Sequence, residues 1–239
     1  MPVTEPRYGR RVTTPTRRQP RGAARRDAIV TAAAALVLDA GPAALTHRTI
    51  AQRADVPLAA TTYYFASLDD LVGAAGSLLA ERWATHADGV VAALVAELED
   101  GAGGTADDTH RCAVLVDAVL PAGDARGVRG HYEHLVGAGR DEVLAAAYAS
   151  GRAGLDEAMT RLVDLLDVPV GPDLVVAVVD GAAVSALSEG RDVRVHAELL
   201  LRRLLLTLDP AGEPVPGILA GAVAGQPDAV PAGPAARGA

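Results

Sequence analysis

The sequence predicts an all-α protein, a three-helix head of helix-turn-helix type carried on a larger helical body. Three observations predict it. Apolar residues recur at helical spacing in segment after segment, and Gly, Pro or Asp punctuates the joins. No segment shows a convincing strand-like alternation. The stretch from Leu45 to Phe65, LTHRTIAQRADVPLAATTYYF, reads as a short helix, a tight turn and a second short helix.

With 239 residues the chain suits one or two domains and a real core. Half of it is hydrophobic, yet no run approaches the ~20 apolar residues of a membrane helix. The lone Cys112 excludes an internal disulfide and fits a reducing compartment, so a cytoplasmic location is expected. Every basic residue is Arg. The net charge of −8 is unevenly spread: residues 1–67 hold ten arginines against Glu5, Asp27, Asp39 and Asp55, a net +6 that leaves −14 for the rest. A basic head on an acidic body suits local contact with phosphate and solubility elsewhere.

Residues 1–24, rich in Pro, Arg and Thr, read as a flexible arm. Arg25-Arg26 and the apolar run behind them imitate an export signal, but Asp27 stands where such a signal prefers a neutral residue. Ile29, Ala33, Leu36, Val37 and Ala40 share one helical face, and Gly41-Pro42 stops that helix. Thr46 can cap the next helix, with Ile50, Ala51 and Ala54 inward and Leu45 packing in from outside the cap. The turn is Ala54-Asp55-Val56, where Asp tolerates left-handed backbone angles. Pro57 suits the first position of the second helix, which is too short to stand alone and needs an anchor such as Phe65.

Ser67-Leu68-Asp69-Asp70 is a capping box opening a long helix to about residue 100, with a bend expected near Asp88-Gly89. Further helices are expected at about 107–120, 125–138, 141–166, 173–188 and 193–208. The domains are therefore 25–70, 71–209 and an Ala/Gly/Pro tail at 210–239 expected to be disordered. The last two helices carry apolar residues on more than one face, which predicts a homodimer through a four-helix contact.

In a helix-turn-helix the second helix lies in the major groove while the first crosses the DNA backbone. Thr46, Ile50-Ala51, Ala54, Val56 and Phe65, followed by Ser67, Asp69 and Leu71, stand at the spacing of a known unit. By these residues the stretch 25–75 resembles the TetR family of bacterial transcriptional regulators. The resemblance implies DNA contacts at His47, Arg48, Leu58, Ala59, Ala60, Thr62 and Tyr63, with Tyr64 either core or backbone contact. Arg48 could pair with guanine or clamp phosphate, the apolar trio could meet thymine methyls, and the hydroxyls could reach phosphate or base edges. The sequence departs from the family pattern at Asp55, where Gly is common, at Thr62, where Tyr is common, and at Leu68, where Lys is common. The arginine arm is a candidate substitute for the last, reaching an adjacent minor groove.

The resemblance also implies a repressor released from a pseudo-palindromic operator by a small-molecule effector held in the body. Candidate pocket residues are Trp83, Cys112, Tyr132, Tyr148 and Asp180. His131 and His134 share a helical face with spacing that could suit metal, together with His110 and Cys112, but a solvated polar face is the expected reading. No metal or cofactor is assigned, and no nucleophile elbow, phosphate loop or H-E-x-x-H motif points to an enzyme. A dimer that binds DNA without an effector or in response to metal stays open at this point. So does an exported all-helical protein or enzyme.

Overall fold

Helices are all that the chain builds where it is described, and no strand occurs among those residues. The computed structural model describes residues 20–101, 107–208, 212, 213 and 215. The chain runs α1 (Pro20–Ala40), a single 3-10 turn (Pro42–Ala44), α2 (His47–Arg53), α3 (Leu58–Tyr64), α4 (Leu68–Glu99) and α5 (Asp108–Val119). It continues with α6 (Ala125–Ala138), α7 (Glu142–Leu165), α8 (Pro172–Glu189) and α9 (Val193–Leu205). Among the described residues no helix is long and apolar enough to cross a membrane.

The head forms where short polar side chains close the helix ends. Thr46 caps α2 reciprocally with Thr49: each backbone N–H donates to the other's hydroxyl oxygen, at 2.9 and 3.0 Å. Asp55 takes the left-handed backbone of the turn, φ 53°, and the Val56 N–H returns to the Ala51 carbonyl at 3.0 Å. Pro57 sits one residue earlier than expected, as the cap of α3 instead of its first helical residue. Ile29, Ala33, Val37, Leu45, Ile50, Thr61 and Phe65 are buried as one core, while Ala40 lies outside it. The Arg26 guanidinium covers the Phe65 ring at 5.1 Å. The helix α1 begins at Pro20, so residues 20–24, assigned to the arm on composition, are helical. Residues 1–19 of that arm lie outside the described residues, as does the 210–239 tail except for 212, 213 and 215.

The helix α4 organises the rest. Ser67 and Asp70 close its start as a capping box, and it runs unbroken through Asp88-Gly89. Its first turns bury Leu71, Val72, Ala75 and Leu79 in the head core, together with Ala138 and Leu144. Its later turns bury Trp83, Ala87, Val91 and Leu94 in the body core. The expected boundary at residue 70 is thus no break in packing. Leu68, where the family pattern has Lys, is half-buried against the head core.

Small residues let α4 and α7 approach closely. A Cβ on Gly151 would stand 2.2 Å from the Ala80 Cβ, and one on Gly154 would stand 2.9 Å from the Ala84 Cβ. Gly130 of α6 does the same against α1, where a Cβ would meet the Leu38 carbonyl oxygen at 2.4 Å.

Candidate functional site

The outer surface of α2 and α3 forms the candidate nucleic-acid interface. Arg48, Leu58, Ala59, Thr62 and Tyr63 are exposed together, Leu58 at 53% and Tyr63 at 81%. Neither Leu58 nor Tyr63 belongs to the head core. Arg48 and Leu58 face each other across a shallow hollow of about 390 Å³, whose rim includes Gln52 and Asp55. Gln52 was missed in the sequence reading. It stands one turn after Arg48, a spacing that could have found it.

Three predicted contacts sit differently. His47 is half-buried, and its Nδ1 lies 3.1 Å from the Thr61 hydroxyl oxygen. The Thr61 hydroxyl donates to the Leu58 carbonyl at 2.8 Å, so the His47 Nδ1–H is the donor to Thr61. His47 therefore ties the start of α2 to the reading helix and fixes the angle between them. Ala60 and Tyr64 are half-buried against the head core, and Tyr64 meets Tyr63 edge to face at 5.0 Å. The Thr62 hydroxyl turns back to the Ala59 carbonyl at 3.2 Å but stays exposed.

In the body, four of the five predicted pocket residues gather around two histidines of α6. The Trp83 ring meets His131 edge to face at 4.9 Å, and His131 meets Tyr132 at 5.3 Å. The Tyr132 hydroxyl donates to Asp180 at 2.9 Å, and His134 Nε2 lies 2.6 Å from the Tyr148 hydroxyl. Trp83 Nε1–H donates to the Val119 carbonyl at 2.7 Å. Cys112 is buried in the same core, but the charges that act on it are Asp108, Arg202 and Glu198; burial first, and then Asp108, pushes its thiol up to about 11.

The solvated face expected at His131 and His134 is not there. Both imidazoles are buried, and His131 Nε2 and His134 Nδ1 have no hydrogen-bond partner among the described residues. His110, the third residue of that set, pairs with Glu97 at 3.7 Å. No group of three or more metal-binding side chains occurs among the described residues. Burial also raises the Asp180 carboxyl, against the opposing pull of the Tyr132 bond and of Arg152.

Burial lowers both imidazoles from 6.5 to about 4, aided at His131 by its neighbour His134 and opposed at His134 by Asp141. A base whose folded value is depressed favours folding fully above its unfolded value and loses that advantage as the pH falls. Between pH 6.5 and 4 the unfolded chain binds a proton at each imidazole that the folded chain does not. Stability should fall by about 1.4 kcal/mol per pH unit for each imidazole across that window. Urea melts of His131→Leu should show the parent's slope reduced by about 1.4 kcal/mol per pH unit there, and an unchanged slope would refute the assignment.

The fold and the exposed α2–α3 face together define a transcriptional regulator of the helix-turn-helix class with a helical second domain. The model of the tetracyclin repressor-like C-terminal domain matches residues 104–207. The multidrug binding protein EbrR, solved with imidazole, is 33% identical and aligns over 82% of this chain and 98% of its own, with a TM-score of 0.55. The same protein was solved with proflavin, with ethidium and with malachite green. A TetR-family member from Streptomyces coelicolor, SCO1917, is 35% identical over 75% of this chain and 97% of its own, with a TM-score of 0.50. SmeT, the repressor of a Stenotrophomonas maltophilia multidrug efflux pump, shares the fold at 18% identity, covering 80% and 97% of the two chains with a TM-score of 0.50. Among curated proteins no match was found. The chain belongs to the TetR family, whose members are regulators, not enzymes, and bind DNA operators as dimers.

Proposed function

We propose that this protein is a homodimeric repressor of the cytoplasm, released from a pseudo-palindromic operator by an aromatic cation. One observation carries the coupling: α4 is buried in the head core at Leu71–Leu79 and in the body core at Trp83–Leu94. A change at Trp83 therefore bears on the helix that also seats the reading head. DNA contact falls to Arg48, Gln52, Leu58, Ala59, Thr62 and Tyr63, with His47 positioning α3.

EbrR supports the effector class, since proflavin, ethidium and malachite green are all aromatic cations. The rings of Trp83, Tyr132 and Tyr148 could hold such a body, and Asp180 could balance its charge. An entering cation would exchange the Tyr132–Asp180 hydrogen bond for an ion pair, which favours the conformation that admits it. Cys112 is left out of this wall.

For the dimer, α8 exposes Leu174, Ala177, Gly181 and Val184 along one stripe, and α9 exposes Val195 and Leu199, with Leu206 at its C-terminal cap. Nothing lies within 4 Å of a Cβ placed on Gly181, so a partner helix could approach closely there. That supports the four-helix contact.

The test is selection of bound fragments from the encoding genome. An inverted repeat with half-sites about one helical turn or a multiple apart is expected, and an absence of any sequence preference refutes the reading. Calorimetry with malachite green tests the effector class separately: Asp180→Asn should weaken binding about tenfold. Undiminished binding would remove Asp180 from the site.

A further inference from the structure

The described openings include a cleft of about 800 Å³ that none of the proposed effector residues lines. It lies where the α5–α6 loop and the first turns of α6 face the turn between α8 and α9. Four guanidinium groups line it: Arg126 and Arg129 from α6, and Arg191 and Arg194 from the α8–α9 side. Each is tied to a carboxylate through a part-exposed pair, Arg126 to Asp39, Arg129 to Glu133 at 3.8 Å, Arg191 to Glu189 and Arg194 to Asp117, so an entering anion exchanges with these partners. Two carboxylates also line the cleft. Asp117 accepts from Arg194 at 2.6 Å, and the Asp192 side chain accepts from the Val195 N–H at 2.9 Å as the cap of α9. Leu120, Pro121, Val128 and Leu187 supply an apolar floor between the arginines.

Arg126 has a second engagement. Its guanidinium reaches Asp39 at the end of α1 at 3.4 Å, and the same carboxylate accepts from Arg53, the last residue of α2, at 2.8 Å. Asp39 thus joins the cleft to the helix-turn-helix across a sequence separation of 87 residues. The Arg126 side chain is 81% exposed, so its tie to Asp39 is loose and open to exchange. Alongside it, Gly130 packs its backbone directly on the Leu38 carbonyl, leaving no slack between α6 and α1.

We propose that this cleft is a second ligand site, for a small organic anion with an apolar body, and that its occupant competes with Asp39 for Arg126. The anionic group sits among the four guanidinium groups, which match carboxylate or sulfonate with paired N–H donors. The apolar part covers the floor. An occupied cleft draws Arg126 from Asp39 and loosens the contact of α6 with the end of α1, the helix that packs behind the reading head. This does not depend on the aromatic-cation reading, because the two sites share no residue and differ in charge.

Calorimetric titration of the full chain with 1-naphthoate tests it, with inorganic phosphate and 1-naphthylmethylammonium as comparison probes. Naphthoate should bind in preference to both. Arg126→Ala/Arg129→Ala should weaken it about tenfold or more, whereas Arg161→Ala, which removes a guanidinium paired with Asp88 outside the cleft, should leave it unchanged. Asp39→Asn removes the competitor and should tighten naphthoate binding several-fold. No naphthoate binding at millimolar concentration, equal binding by either comparison probe, or indifference to the double substitution would overturn the site. An Asp39→Asn protein that binds no tighter would overturn the competition.

Discussion

Gly151→Ala is expected to destabilise the protein by about 1–3 kcal/mol, against the helix propensity of the two residues. In an open helix the same change stabilises by up to ~1 kcal/mol, because alanine loses less backbone freedom on folding. In α7 the added Cβ has nowhere to go: Ala80 Cβ would lie 2.2 Å away, with the α4 backbone directly behind it. Neither partner is a flexible side chain that can swing aside, so α4 and α7 must separate. Separation opens gaps along a contact that buries Leu144, Leu155, Met159 and Leu162. Gly89→Ala supplies the comparison, since Gly89 is exposed in the interior of α4 with nothing within 4 Å of its Cβ direction. It should stabilise by about 1 kcal/mol. Urea melts of the two variants should therefore shift in opposite directions, and a Gly151→Ala protein as stable as Gly89→Ala would refute the close packing.

That packing explains which parts of the chain could be read from the sequence. Helix ends announce themselves locally, and Thr46, Ser67, Asp107, Asp124, Asp141 and Asp192 all cap the helices that follow them. The limits of α6 were accordingly found to the residue. The start of α1 was not, because Pro20-Arg21-Gly22 has the composition of a linker although proline tolerates a first turn. The histidines of α6 failed for a different reason. His131, Glu133 and His134 read as a polar stripe on an isolated helix, but α6 is packed against α1 on one side and against α7 and α8 on another. Partners 14 and 48 residues away, Tyr148 for His134 and Asp180 for Tyr132, are tertiary facts with no local signal. The helix-turn-helix was accessible because it is a local motif whose spacing sets inward and outward residues together. There, His47 carries a tie that the local motif does not show: its bond to Thr61 spans the turn.

Arg48→Ala combined with Tyr63→Ala should cost about 2–6 kcal/mol of specific operator affinity, with each change alone costing about 1–3 kcal/mol. The two side chains stand on different helices, are exposed, and neither has a role in the head core, so the fold should be unaffected. Losses near the additive sum imply independent contacts, whereas a shortfall implies that both act on one contact region. The salt dependence separates their roles. A phosphate contact by Arg48 would reduce the slope of log affinity against log salt by about one unit on every sequence, and a base contact would instead relax the preference at one operator position. Tyr63 should change affinity without that change in slope, because its phenol carries no charge to release a counterion. His47→Ala gives the contrasting pattern. It removes the tie to Thr61 that sets the angle of α3, so its loss should spread over all half-site positions. If Arg48→Ala/Tyr63→Ala keeps full affinity while its circular dichroism and melting match the parent, the reading surface lies elsewhere than on α2 and α3.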